Sequence, residues 1–255
     1  MAEVIDVLEL SKNLKLVHLK SVYLSKAAPG QFFVMQYSEK PERTTLFIMD
    51  ADKNKNIATF LIQKSEDALI QEIFENIKPG QKLHYVEGPA GKPFANFENK
   101  NILFVSINWG FGGIYSIAKN LKPKNHVDLA FINTDAVQSQ DLRDFLNIFD
   151  NVDDYESIYA LDKSQKHYDM VICAGSNDLA KELANIYENT DVYCAVITRM
   201  LCTVGLCLAC RIQYDGQLKL PCVEGPWLDA KKIDFEDLNR RHLILKEALV
   251  RNRKG

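Results

Sequence analysis

Apolar and polar residues alternate through most of the first hundred positions, which is the period of half-buried β-strands. Six segments show this alternation or are rich in β-branched and aromatic residues: 4–10, 14–21, 31–38, 45–50, 57–63 and 82–89. Between the last two, apolar residues recur at helical spacing from Leu69 to Ile77, which predicts a helix over 66–77 with Ser65 as its N-cap. About six strands and one short helix predict a small antiparallel β-barrel.

The pattern changes after residue 101, where continuous apolar runs alternate with helical periodicity. The apolar runs are 102–107, 127–134, 170–175 and 192–198. Helical spacing follows the first run up to residue 121, follows the second run over 142–149, and lies between the last two runs over 179–187. Strand–helix alternation of this kind predicts a parallel sheet with helices on its faces and with ligands at the carboxyl ends of the strands. A further amphipathic helix is predicted over 234–253.

Four of the six cysteines lie close together near the carboxyl end. Cys202, Cys207, Cys210 and Cys222 have the spacing C-x4-C-x2-C-x11-C, whose first part is the plant-type ferredoxin spacing for a [2Fe–2S] cluster. Asp215-Gly216 predicts a type I′ hairpin within the last interval, because both central residues of that turn need φ > 0. Folded about this turn, Cys222 lies diagonally beside Cys210. The segment therefore predicts four thiolate ligands for one cluster.

Two other roles for these cysteines stay open. Disulfides need an oxidising compartment, and the first residues, Met-Ala-Glu-Val-Ile-Asp, lack the basic start of a secretory signal. A structural zinc site usually has two short C-x2–4-C pairs, and here only Cys207 and Cys210 form one. A four-cysteine zinc site is the more serious alternative to the cluster.

Composition narrows the classes of function only a little. The formal net charge is −3, which gives no electrostatic reason to expect a nucleic-acid partner. No apolar run approaches 18 residues, so no membrane-spanning helix is expected. The five histidines form no i, i+4 pair, and no residue is assigned a catalytic role. Free thiolates are best kept in a reducing cytoplasm, which is the expected location.

The cluster segment and its surroundings resemble the ferredoxin-reductase-like electron-transfer flavoproteins. The resemblance is carried by CTVGLCLACRI (202–212) and CVEGPWLDA (222–230), which are similar to the cluster loops of two families. These are the electron-transfer subunit of dihydroorotate dehydrogenase and the small subunit of sulfide dehydrogenase or NADH-dependent ferredoxin:NADP oxidoreductase. FEDLNRRHLILKEA (235–248) is similar to the last helix of the small (alpha) subunit of sulfide dehydrogenase or NADH-dependent ferredoxin:NADP oxidoreductase. This family implies an FAD-binding-type barrel over 1–98, a degenerate NAD(P)-binding-type α/β domain over 99–200 and a [2Fe–2S]-binding tail over 201–255.

The same resemblance implies an FAD site on the barrel. The family holds FAD with an Arg-x-Pro-x-Ser/Thr stretch, and Arg43 stands where the arginine pairs with the pyrophosphate. Thr45 replaces the family's proline, Phe47 replaces its hydroxyl residue, and the acidic stretch 65–68 replaces a Gly-Thr pair. The full set of implied FAD residues is Arg43, Thr45, Leu46, Phe47, Leu61, Gln63, Gly88 and Gly91.

The implied nucleotide site is degenerate. The family's glycine-rich turn aligns with 107–113, where Gly110 stays in place and Trp109 and Phe111 flank it. The implied positions are Gly110, Gly112, Cys173 and Gly175, although Cys173 reads equally well as a small apolar residue of a buried strand. Bulky side chains at such a turn keep the backbone from a pyrophosphate, so weak or absent NAD(P)H binding is expected.

The resemblance predicts an electron-transfer subunit that passes electrons between FAD and a [2Fe–2S] cluster. Its expected partner is a larger flavin or iron–sulfur oxidoreductase subunit, with NAD(P)H or ferredoxin as further exchange partners. The first alternative is a relay or scaffold subunit that has lost nucleotide binding, with or without the loss of flavin. The second alternative is an interaction module stapled by zinc through the same four cysteines.

Overall fold

The first hundred residues form two antiparallel sheets in the computed structural model, which describes residues 2–163 and 166–241. The strands are β1 (Glu3–Ser11), β2 (Leu14–Lys20), β3 (Phe32–Gln36), β4 (Thr44–Phe47), β5 (Asp50–Asp52), β6 (Ile57–Gln63) and β7 (Tyr85–Ala90). One sheet has the order β1-β2-β6-β5 and the other β4-β3-β7. The predicted antiparallel strand architecture is confirmed, with one difference. The single strand predicted over 45–50 is two strands, because the chain passes from one sheet to the other at the buried residues Ile48 and Met49.

Apolar side chains from both sheets meet between them. Phe33 and Phe60 pack edge to face with ring centroids 5.3 Å apart, an arrangement favoured by the ring quadrupoles. Helix α1 (Ala68–Asn76) covers this core with Ile73 and Phe74. Its N-cap is Asp67 and not Ser65, since the Asp67 carboxylate accepts hydrogen bonds from the backbone N–H groups of the first helical turn. A carboxylate caps better there because the helix N-terminus carries partial positive charge.

The second half of the chain contains the predicted parallel sheet. Its strands are β8 (Asn101–Ile107), β9 (His126–Ile132), β10 (Asn151–Tyr155), β11 (Met170–Ala174) and β12 (Asp191–Ala195), and a later strand β15 (Trp227–Asp229) completes it. The order is β10-β9-β8-β11-β12-β15, and only β15 pairs antiparallel. The helices α2 (Phe111–Leu121) and α3 (Asn177–Ile186) pack on the sheet, and separate apolar cores lie on its two faces.

One predicted helix has a different form. The segment 142–149 lies in a 3₁₀ helix, Ser139–Ile148, rather than in an α-helix. Leu142, Phe145 and Ile148 are three residues apart, so they fall on one side of a helix with three residues per turn. The helical prediction for 234–253 reaches beyond the described residues, of which 235–241 are helical. The predicted boundaries at 98 and 200 stay predictions. Within residues 2–163 and 166–241, no helix is long and apolar enough to span a membrane.

A buried carboxylate ties the starts of the parallel strands together. The side chain of Asp128 is 2% exposed, and it accepts hydrogen bonds from the Tyr168 hydroxyl at 3.0 Å and the Asn151 amide at 2.8 Å. Lys166 and His126 lie within 3.4 and 3.0 Å of it. Burial alone would raise the pKa of Asp128, but these hydrogen bonds and cations hold that pKa below its ordinary value.

The depressed pKa of Asp128 predicts acid lability. Its contribution to stability is complete above the unfolded carboxyl pKa of about 3.9, and it is lost as the pH falls toward the lower folded value. Asp128→Asn should cost about 1–3 kcal/mol of unfolding free energy at neutral pH and should flatten the acid limb of stability. Urea unfolding between pH 3 and pH 7 measures both effects.

Asp153 offers a matched control for this experiment. Its carboxylate also faces Lys166, at 3.7 Å, but its side chain is 53% exposed. Exposed ion pairs contribute little to stability, so Asp153→Asn should unfold like the wild type. Equal urea midpoints for Asp128→Asn and the wild type across this pH range would contradict the role given to Asp128.

Candidate functional site

The last cysteine is brought to the others by the predicted hairpin. Strands β13 (Ile212–Tyr214) and β14 (Gln217–Lys219) pair with Tyr214 opposite Gln217. Asp215 and Gly216 have φ of 50° and 71°, as a type I′ turn requires. The one-turn helix α4 (Pro221–Glu224) follows and carries Cys222.

Cys210 and Cys222 lie on either side of this hairpin in the chain and form the first of two thiol pairs. Their sulfur atoms lie 3.2 Å apart, and each residue is 1% exposed. Burial and the neighbouring Cys210 sulfur raise the pKa of Cys222 to about 12. At that pKa the Cys222 thiol is protonated at neutral pH.

Cys202 and Cys207 form the second pair, in the loop that precedes the hairpin. The loop curls through positive φ at Thr203, Gly205 and Leu208, and the Cys207 backbone N–H donates to the Cys202 sulfur at 3.4 Å. Burial alone would raise the pKa of Cys202, but hydrogen bonds from the amides of residues 204, 206 and 207 lower that pKa to about 6. Cys202 is thus a ready thiolate at neutral pH.

The two pairs fit a two-iron cluster. Four cysteine thiolates hold a [2Fe–2S] cluster, two on each iron, and backbone N–H groups turned toward sulfur stabilise the thiolate form. A structural zinc ion instead needs its four ligands around a single point. Among the residues that the structure describes, no three or more Cys, His, Asp or Glu are grouped so as to hold one ion. Four thiols in two pairs are a donor set of the kind that a [2Fe–2S] cluster takes, and the four ligand assignments stay a prediction.

The cysteine-bearing segment packs directly on the barrel. Cys210, Cys222 and Met200 share one buried cluster with Phe32 and Val34 of β3 and with Ala90 of β7. The Lys92 backbone N–H donates to the Gly225 carbonyl at 2.6 Å. On the other side, β15 pairs with β12 of the parallel sheet. The segment therefore lies between the barrel sheet that contains β3 and β7 and the parallel sheet, and it is in contact with both.

Two of the predicted FAD residues reach the cluster segment. The Arg43 guanidinium donates from Nη1 to the Leu201 carbonyl at 3.3 Å, and it lies over the Tyr85 ring, 4.8 Å from the centroid. The Thr45 hydroxyl donates to the Met200 carbonyl at 3.2 Å. Because Arg43 has five N–H donors, those not used on Leu201 fit a phosphate.

The other predicted FAD residues are in contact with other parts of the protein. Phe47 lies nearly parallel to Trp109, with centroids 6.2 Å apart, and it also packs on Trp227 at 5.6 Å. The Gln63 side chain accepts a hydrogen bond from the Trp109 backbone N–H at 2.9 Å. The rest are packed in the barrel or against its neighbours: Leu46 in the barrel core, Leu61 under Gly112, Gly88 against Phe33, and Gly91 against Gly225. Arg43 is therefore the part of this set that fits a diphosphate.

The nucleotide candidates do not form an open cradle. A Cβ on Gly110 would overlap the Ala174 carbonyl, and one on Gly175 would overlap the Ile107 carbonyl. Both glycines thus allow the ends of β8 and β11 to approach each other. The Phe111 backbone N–H bonds to carbonyls of the preceding turn and the Trp109 N–H to the Gln63 side chain, so these two amides are already engaged within the protein.

Cys173 and Cys194 are core residues. Both are almost fully buried in adjacent strands, and burial raises the pKa of each thiol well above its ordinary value. A protonated, inaccessible thiol has no nucleophilic or ligand role. The plain interpretation of Cys173 as a small apolar residue therefore agrees with its surroundings.

No sequence pattern predicts the contacts that Trp227 makes at the site. Trp227 donates its indole N–H to the Gly30 carbonyl at 2.8 Å and packs on Phe47, so it links the cysteine segment to the barrel and to α2. The Met200 and Leu201 carbonyls were missed as well. Backbone acceptors leave no trace in a sequence pattern, and their partners lie more than 150 residues away.

A barrel, a parallel sheet and a cysteine segment packed between them define a ferredoxin-reductase-like fold. Residues 198–234 match the iron–sulfur cluster binding domain of dihydroorotate dehydrogenase B. The chain is 25% identical over 245 residues to the dihydroorotate dehydrogenase B electron transfer subunit homolog of Thermotoga maritima, covering 88% of this chain and 84% of the relative. It is 26% identical over 208 residues to the electron transfer subunit of Clostridium acetobutylicum, covering 78% and 82%.

A solved structure shares nearly the whole fold. A chain of the NADH-dependent reduced ferredoxin-NADP oxidoreductase, studied for flavin-based electron bifurcation, superposes with a TM-score of 0.82 at 23% identity. The match covers 94% of this chain and 92% of that chain. The resemblance stated from the cysteine segment is confirmed, and so is the predicted fold class.

Cysteine substitutions should separate ligands from core thiols. Wild-type protein purified without oxygen should contain about two iron and two acid-labile sulfide per chain. Cys207→Ser or Cys210→Ser should remove most of the visible absorbance. Cys194→Ser should keep it, because this thiol lies in the core away from the two pairs. Protein that carries one zinc and no iron would contradict the cluster assignment.

Proposed function

We propose that this chain is the electron-transfer subunit of an oxidoreductase complex. Its cluster ligands are Cys202, Cys207, Cys210 and Cys222, and Arg43 pairs with the pyrophosphate of FAD on the barrel. The observation that carries the proposal is the arrangement of four thiols as two pairs, of which Cys210 and Cys222 pack on the barrel sheet whose strand β4 directly follows Arg43. The match of 198–234 to an iron–sulfur domain and the flavin chemistry of the superposed oxidoreductase support the two cofactors.

The chemistry requires a one-electron carrier next to a two-electron one. A flavin converts a two-electron reduction into single electrons, and an iron–sulfur cluster carries them one at a time. The protein contributes a dry pocket on one side, since Cys210 and Cys222 are buried against β3 and β7. On the other side Cys207 is exposed, which makes it the natural point of electron exchange.

The exposed side of the cysteine segment fits a protein partner. Leu206 is 82% exposed, and Val204, Leu208 and Val223 around it are exposed too. Apolar residues grouped at a surface are typical of protein interfaces. The partner proposed here is the larger catalytic subunit of the complex, as the names of the two dihydroorotate dehydrogenase relatives suggest. Thiolates that stay free until they bind iron need a reducing compartment, so the proposal places the chain in the cytoplasm.

A second candidate function is a relay subunit that has lost nucleotide binding. Trp109 and Phe47 pack together between the barrel and the parallel sheet, and Gly110 is closed against Ala174. In this version the chain passes electrons between partner proteins through the cluster alone. Cofactor content decides between the two candidates.

Flavin binding should depend on Arg43. Loss of a desolvated charge-assisted contact costs about 1.5–3 kcal/mol, or about ten- to a hundredfold in affinity. FAD titration of Arg43→Ala, in protein reconstituted to the iron content of the wild type, should therefore show that weakening. Lys40→Ala is the control, because Lys40 also lies in the barrel part of the chain but pairs with Glu72. Wild-type protein that binds no FAD from a large excess would favour the relay subunit.

Nicotinamide nucleotides should reduce the isolated chain slowly or not at all. Trp109 and the engaged amides of the turn leave no close approach for a pyrophosphate. Stopped-flow mixing with NADH and with NADPH should leave the flavin and cluster absorbance unchanged over the first second, whereas dithionite should bleach both. Bleaching within milliseconds by micromolar NADH or NADPH would show that the turn still binds a dinucleotide.

A further inference from the structure

Two side chains of one barrel strand hold the backbone that leads into the first cluster cysteine. Arg43 precedes β4 and Thr45 lies within it, and they are two residues apart, so they project to the same face of the strand. Arg43 donates to the Leu201 carbonyl and Thr45 to the Met200 carbonyl, at 3.3 and 3.2 Å. The barrel is therefore hydrogen-bonded to two consecutive peptide units directly before Cys202.

These contacts lie where the loop has the least support of its own. From Cys202 to Cys207 the chain contains no helix or strand, and it curls through positive φ at Thr203 and Gly205. By contrast, Met200 is 4% exposed and shares its buried cluster with Cys210 and Cys222. Fixing the Met200 and Leu201 carbonyls therefore fixes the distance between the Cys202 pair and the Cys210 pair.

The position of the Arg43 charge adds a second consequence. The carbonyl that accepts from Arg43 belongs to the peptide group that includes the backbone nitrogen of Cys202. The guanidinium is held there by stacking on Tyr85, whose hydroxyl donates to Glu87 at 2.8 Å. A fixed positive charge near a cluster favours the reduced state, which carries one more negative charge. Hydrogen bonds and charge around a cluster are among the factors that set its potential.

We propose that Arg43 and Thr45 are positioning residues of the iron–sulfur site. Thr45 holds the loop in the shape that keeps the cluster bound. Arg43 also holds the loop, and its charge raises the reduction potential of the cluster. This role rests on the proposed cluster, but it differs from the flavin role that the family resemblance implies for both residues. FAD phosphates at Arg43 would cancel part of the positive charge, so occupancy of the flavin site would lower the cluster potential.

Thr45 tests the positioning role without any change of charge. Thr45→Val keeps the shape of the side chain and removes the hydroxyl that reaches Met200. Its neighbour in β4, Thr44, points to the opposite face, so Thr44→Val is the matched control. In FAD-free protein with a reconstituted cluster, loss of visible absorbance to an iron chelator should be several-fold faster in Thr45→Val. Thr44→Val should lose its cluster at the wild-type rate.

Arg43 tests the electrostatic role. Arg43→Gln should lower the midpoint potential of the cluster in dye-mediated titrations of FAD-free protein, and the shift should shrink as salt is added. Arg43→Lys keeps the charge and should restore most of the potential. Electron paramagnetic resonance of the reduced cluster should show altered g values in Arg43→Gln. Thermal unfolding followed by circular dichroism identifies any variant that is merely misfolded.

The outcomes separate this inference from the proposed function. Wild-type protein that binds no iron would overturn both. A wild-type cluster with the same loss rate in Thr45→Val and the same potential in Arg43→Gln would overturn the positioning role alone. If Arg43→Gln changed only the affinity for FAD, Arg43 would be a flavin residue and nothing more. A lowered potential that is equal in Arg43→Lys and Arg43→Gln would overturn the role of charge.

Discussion

The structure depends on holding four thiols together that the local chain cannot hold by itself. Two of them stand in a loop without regular structure, and the other two flank a hairpin of three-residue strands. Isolated hairpins of this length are marginal in water. The order comes from packing: β3 and β7 form a dry wall behind Cys210 and Cys222, and β15 joins the parallel sheet. The cysteine segment is therefore stable only when both larger parts of the chain are folded.

Much of this arrangement could be predicted from local patterns. Alternation and apolar runs predict most of the strands, and the Asp215-Gly216 turn sets the register that brings Cys222 to Cys210. The patterns fail where tertiary contacts decide. Asp67 displaces Ser65 as the helix cap, the segment 45–50 divides between two sheets, and strand β10, whose apolar residues are Val152 and Tyr155 alone, lacks the apolar run of a buried strand.

Residues of the candidate site divide in the same way. The cysteines can be predicted as ligands from their spacing, because ligand chemistry restricts the residue type and the hairpin restricts the interval between Cys210 and Cys222. Glycines cannot be assigned in this way, because a glycine can leave room either for a ligand or for a neighbouring part of the backbone. Gly110 and Gly175 look like parts of a phosphate cradle, yet each one makes room for a neighbouring backbone carbonyl. A glycine motif therefore indicates that some group approaches the backbone closely, but it does not indicate whether that group is a phosphate or a backbone carbonyl.

The aromatic packing beside the glycine turn bears on the route of electrons in the proposed function. In this chain Trp109, Phe47 and Trp227 form one packed group between the barrel, α2 and the cysteine segment. Such a group transmits position, because close-packed side chains move together. The barrel residues Arg43 and Thr45 grip the same segment from its other end. Under the proposed function, electron exchange with a partner protein takes place at the exposed surface around Cys207 and Leu206, because the interior is packed around the cysteine segment. Contact at that surface displaces none of the packed residues.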